Sequence, residues 1–524
     1  MSVDLLKDNA FSAISRRGLL KASLAASAFA TVGAGASAFA ASEAPKKGGH
    51  LKLGLSGGAS TDTLDPAAYI SAHQMVLART WGDTLVETHP ETGKPLPSLA
   101  ESWDSKENST VWTFKIRKGV RFHDGSTLTA QDVVMTLRRH SDKASKSGAL
   151  GYLASLKDVS ASGDDVVITL TEGNVDLPLI LSIHNLIIQP KGGTGNANAG
   201  IGTGPYKLVS NDPGVRILFE KNKEDWNSNR GWVDSVEIIS MPDVSARTAA
   251  LASGQVHFIN ALNPNTVQML ERMKKLNIIN TAGRSHYTMP MMVDQAPFDN
   301  ADLRLALKYA IDRKAILKQV LGGYGTLGND FPVNAAYDYF PEGIAQREFD
   351  PEKAAFHFKK SGFDGVIPIF AADVMQGGVD MAAIFQDGAK KAGIKVELNR
   401  MPTDGYWKNV WRNKPFCVSY FGTRPTQDLI YSIEFFSKAA SNESKFNNPK
   451  FDSLLIGARA ERDEAKRKEM YADMANIVRD ESGSIIPVFN NYLNAAGLTL
   501  KGYVADIGND MSNGYIASRV WLEA

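Results

Sequence analysis

Apolar and polar residues alternate over 111–116, where Trp112, Phe114 and Ile116 point one way and Thr113 and Lys115 the other. That period of two predicts a half-buried strand. Lys118-Gly119 then turns the chain, Val120 and Phe122 resume the alternation, and Asp124-Gly125 turns it again. From Thr129 the period lengthens: Thr129 and Asp132 read as a capping box opening a helix that buries Val133, Val134 and Leu137. Further strands are predicted at Leu51, Leu53 and Leu55, at Tyr206 and Leu208, at Val215, Ile217 and Phe219, and at Val236 and Ile238. Leu303, Ala306, Leu307, Ala310 and Ile311 share one face of a helix that Asn300 caps and Gly322-Gly323 terminates. Asp350, Pro351 and Gly362 bracket another. Strands interleaved with helices along the whole chain predict an α/β fold.

The first forty residues carry a different signal. Arg16-Arg17-Gly18-Leu19-Leu20-Lys21 precedes an apolar run of small residues, the pattern of an export leader of twin-arginine type over 1–40, cut after Ala38 or Ala40. No cysteine near its end supports a lipid anchor. Its four basic and two acidic residues take the formal charge from +1 to −1 on removal, a balance that argues against nucleic-acid binding. The only cysteine, Cys417, lies in an apolar strand-like run and reads as a buried thiol, so packing and not a disulfide holds the chain together. With 43% hydrophobic residues in 524, two or three domains can each bury a core.

Catalytic signatures are missing. The nine histidines show no zinc-binding spacing, no G-x-S-x-G elbow is present, and the glycine-rich stretch 192–204 runs into Pro205 and a strand instead of a helix N-terminus. No enzyme, metal or cofactor is expected.

The run 97–139, PSLAESWDSKENSTVWTFKIRKGVRFHDGSTLTAQDVVMTLRR, closely resembles the signature segment of the family 5 extracellular solute-binding proteins, the dipeptide-, oligopeptide- and nickel-binding receptors of bacterial ABC importers. Blocks at 202–208 (GTGPYKL), 244–259, 297–317, 350–363 and 486–503 follow in the family's order. The resemblance implies a two-lobed periplasmic-binding-protein fold with a hinge and a third small domain inserted in the first lobe. Lobe I would comprise 48–72, 195–288 and 491–524, the inserted domain II 73–194, and lobe II (domain III) 289–490, with the hinge near 289–294 and 488–491. It also implies a monomer in the periplasm that captures peptides or peptide-like solutes and delivers them to permease subunits in the inner membrane driven by cytoplasmic ATPases. Opine-like, sugar or nickel-chelate ligands are alternatives within the fold, and an extracytoplasmic hydrolase is one outside it.

In peptide-binding members of that family, the segment matching 418–435 carries an aspartate for the peptide's α-amino group. Here Thr423 takes that place and Arg424 follows, a pairing suited to an oxyanion. Arg424 either meets ligand or is held by Asp428. Trp407 and Tyr420 are candidate stacking surfaces, and Asn491, with Asn490 and Asn494, is a candidate polar contact near the second crossing. His286 and Tyr287, beside the hinge, could reach ligand or serve the core.

Overall fold

The computed structural model describes residues 44–523; the expected leader lies outside them. Three sheets organise the chain. The first has seven strands in the order Leu276–Thr281, Tyr492–Gly497, Phe258–Ile259, His50–Leu55, Ser235–Ser240, Arg216–Lys221, Tyr206–Asp212. His50–Leu55 runs parallel to both neighbours, with Leu51 opposite Val236 and Leu53 opposite Ile238. Its leucines are fully buried, as a central strand requires. Trp81, Tyr206, Phe219, Phe258 and Met511 complete that core.

The helix Ala72–Trp81 packs Val76, Leu77 and Trp81 into the same core, although the division by resemblance starts the insertion at 73. Between this helix and the strand at 206 lies a four-stranded antiparallel sheet, ordered Ala100–Lys106, Val111–Ile116, Asp165–Leu170, Leu156–Ser162. Trp112, Phe114 and Ile116 are buried beneath the helix Ala130–Ser141, whose Thr129–Asp132 capping box forms as read. Val120 and Phe122 are buried too, but that segment makes only the isolated bridge Arg121–Thr127.

The third sheet joins Gly325–Leu327, Val488–Asn490, His286–Pro290 and Ser419–Phe421, with Ser484–Ile485 on the far end of His286–Pro290. A parallel pair, Ile367–Ala371 with Val396–Arg400, adjoins it through the bridge Phe370–Cys417. The expected single helix from 301 to 321 is two: Ala301–Tyr309 ends at Ala310, and Asp312 caps Arg313–Gln319 by accepting from the Ala315 amide. Asp350, Pro351 and Gly362 bracket Pro351–Ser361 as predicted, and Gly362 takes the left-handed conformation.

The chain passes between the first and third sheets twice, at 282–285 and at 491. The crossings touch. A Cβ on Gly283 would lie 2.3 Å from the Asn490 carbonyl oxygen, the Asn490 amide donates to Ser285 O at 3.1 Å, and Asn491 Nδ2 donates to Asn280 Oδ1 at 2.8 Å. The hinge expected at 289–294 is displaced: Met289 and Met291 belong to the core of the second lobe.

Candidate functional site

A small cavity opens where the two lobes, the insertion and the first crossing meet. Arg79 reaches it from Ala72–Trp81, a helix set by the Ser71–Gln74 capping box. Ser182 and His184 come from the insertion, Arg284 from the crossing, and Thr423 from the second-lobe loop; Asn509 and Asn513 close the first-lobe side. Residues scattered over 438 positions of sequence thus converge through the sheet topology alone.

Arg79 and Arg284 are each 3% exposed. Arg79 Nη1 donates to Thr84 Oγ1 at 2.9 Å and Nη2 to the Ser182 carbonyl, its plane stacks on Tyr515 at 4.6 Å, and its buried Nε has no partner. Asp83, four residues on, is not available to it. The helix has ended at Trp81, and Asp83 instead receives Arg230 at 2.6 and 2.9 Å, with further donors from Trp226 and Thr203. Those contacts hold the Asp83 carboxyl below the usual range despite its burial.

Arg284 donates from Nε and Nη2 to the Ala336 carbonyl at 2.9 and 2.6 Å and from Nη1 to the Pro425 carbonyl at 3.0 Å, over the Tyr337 ring. Among the described residues neither guanidinium forms an ion pair with a carboxylate, and no acidic side chain lines the cavity. His184 is pushed down to about 3 by burial and by Arg79, so it is neutral, and its Nε2 has no partner.

Of the residues singled out from sequence, Thr423 lines the cavity, and its hydroxyl is hydrogen-bonded to Tyr492. Arg424 does not line it: Nη1 folds back onto the carbonyls of Gly422 at 3.1 Å and Thr423 at 2.9 Å. The pairing with Asp428 is absent. Asp428 is buried against Arg459 at 3.2 Å, at the junction of the second lobe and the insertion, because the helix Gln427–Glu434 turns it away from the loop. Trp407 and Tyr420, 41% and 40% exposed, meet edge to face at 5.6 Å outside this cavity. Asn491 is spent on the crossing.

His286 is a core residue. Its Nε2 lies 3.0 Å from Glu434 Oε2 with both side chains fully buried, and burial holds the imidazole down near 4 and Glu434 well above the carboxylate range. Tyr287 is buried as well, as is Asn494, whose amide donates to Asp510 Oδ1 at 2.6 Å. The Cys417 thiol is buried and raised by desolvation. Sequence reasoning missed Arg79, Arg284 and His184. Arg79 carried a faint signal, an arginine on an otherwise apolar turn, but Asp83 at i+4 supplied a ready local partner on paper.

A family model described as bacterial extracellular solute-binding proteins, family 5, middle, matches residues 94–443. The chain is 26% identical to the dipeptide-binding protein of Escherichia coli strain K12, over 88% of this chain and 97% of that one. The fold is shared with the periplasmic binding protein DppA from Helicobacter pylori in complex with the peptide STSA (TM-score 0.78, 23% identity, 91% of this chain and 99% of that one). It is shared equally with the binding protein AgaA from A. tumefacien R10 in complex with agropinic acid (TM-score 0.77, 23% identity, 91% and 99%).

Proposed function

Since the chain belongs to the family 5 bacterial extracellular solute-binding proteins, we propose that it is the capture subunit of an ABC importer, taking a peptide or peptide-like solute into the interlobe cavity. The observation that carries this reading is a cavity walled by both lobes, the insertion and a crossing segment. A solute seated there touches every rigid part at once and therefore binds the closed arrangement better than the open one. Closure is the signal a membrane permease reads. No bond is made or broken: the relatives are named for binding, and the cavity presents arginines, amides and hydroxyls, not a nucleophile oriented by a base.

The same reading places the protein in the periplasm, exported by its leader, working as a monomer beside inner-membrane permease subunits with cytoplasmic ATPases. No helix among the described residues is long and apolar enough to cross a membrane. The test is mass spectrometry of small molecules released by denaturing protein purified without added ligand. One organic solute per chain is expected; protein that never carries or gains a solute, or that converts a peptide panel to products, overturns the proposal.

A further inference from the structure

We propose that the interlobe cavity selects a compact solute carrying two anionic groups, held between Arg79 of the first lobe and Arg284 of the crossing. The inference rests on the capture reading above and specifies the chemistry of its cargo.

A guanidinium withdrawn from water needs a counter-charge or a full set of acceptors; several buried arginines here have a carboxylate, while Arg247 and Arg304, away from this cavity, donate only to backbone carbonyls. Arg230 has Asp83 and Asp225, Arg313 has Asp330, Arg467 has Asp176. Arg79 and Arg284 have only carbonyls, a hydroxyl and aromatic faces. Asp338 is the acid whose charge Arg284 influences, and it stands outside ion-pair contact, with its own carboxyl raised by burial. Two positive charges therefore face one cavity without a protein counter-charge in contact.

Arg79 Nε is buried and unpartnered, and His184 Nε2 beside it is unpartnered as well. Neutral His184 adds a hydrogen-bonding edge without adding charge, while the amides of Asn509 and Asn513 supply further polar contacts. Planar oxyanions fit such forks, since a guanidinium presents its donors in a fixed plane. An ammonium group, in contrast, finds no carboxylate in the lining. The small volume of the cavity suits a compact solute and not an extended chain.

Calorimetric titration of the mature protein with succinate, glutarate and adipate, each against its diamide, tests this. At least one diacid is expected to bind ten-fold or more tightly than its diamide, and to lose ten-fold in Arg284→Gln with recovery in Arg284→Lys. Equal binding of diacid and diamide, or no binding of any diacid, overturns the inference. The ligand series on unaltered protein decides the matter even if a variant fails to fold. A digest of mixed peptides run in parallel separates the two proposals: saturable peptide binding without diacid binding sinks the anion inference and leaves capture standing, whereas binding of neither sinks both.

Discussion

Arg467 donates to both carboxylate oxygens of Asp176, at 2.9 and 2.5 Å, and so ties the long helix Glu464–Glu481 of the second lobe to the inserted domain. The pair is buried, backed by the rings of Tyr339 and Tyr471, and flanked by a backbone bond from Val175 N to Arg459 O and by Arg462 on Ser105 and Ser109. It forms a latch across the molecule, remote in sequence from the crossings.

Removing one partner strands a buried charge. Asp176→Ala is expected to lose about 3 kcal/mol in urea unfolding and to weaken solute binding, because the latch joins parts that must separate for the cavity to open. Unchanged stability with unchanged affinity would show that the latch carries no load.

Arg424 serves its own loop. A folded Arg424→Met variant is expected to hold its solute within about threefold of the parent affinity while melting several degrees lower, as its guanidinium braces the Gly422 and Thr423 carbonyls. A large loss of affinity at unchanged melting temperature would return Arg424 to the binding site.

Glu443 makes stability depend on pH. Burial and the neighbouring Glu434 push its carboxyl up to about 7 although Thr288 and Trp411 donate to it at 2.5 and 2.6 Å. Between an unfolded value near 4.5 and the folded one near 7, the native chain keeps a proton that the unfolded chain has released. Glu443 therefore contributes a loss of stability as pH rises through that window, on the order of 3 kcal/mol in full. Glu434 acts with the same sign and His286 with the opposite one, so the comparison that isolates Glu443 is Glu443→Gln against the parent. Denaturant titrations at pH 4.5 and 7.5 are expected to show the variant gaining relative to the parent at the higher pH; a pH-independent difference would refute this.

Gly283 lets the two crossings lie side by side. Gly283→Ala places a methyl 2.3 Å from the Asn490 carbonyl and is expected to cost about 1–3 kcal/mol by forcing the segments apart. Solute affinity should fall with it. A neutral substitution by both measures would mean that the crossings part freely.

Local rules were readable and distant ones were not. The capping box at Thr129, the cap and stop at Asp350 and Gly362, and the alternation of Trp112, Phe114 and Ile116 are settled within a few residues. Pairing of His50–Leu55 with Ser235–Ser240 spans nearly two hundred residues, and only the family resemblance hinted at it. The cavity depends on such pairings, so Arg79 and Arg284 stayed hidden while Thr423, found by analogy, reached its wall. Asp428 looked like a partner for Arg424 because four positions separate them, but the helix beginning at Gln427 carries it to Arg459.

Lobe closure on a solute that is released intact can be watched directly. Cys417 is buried, so cysteines introduced at the exposed positions Lys223 and Lys390, one on each lobe, can be labelled selectively for fluorescence energy transfer. Adding back the solute recovered from the denatured protein should shorten the interlobe distance saturably at one solute per chain, with the solute chemically unchanged afterwards. A distance unmoved at saturation, or a solute returned as product, would contradict capture by closure.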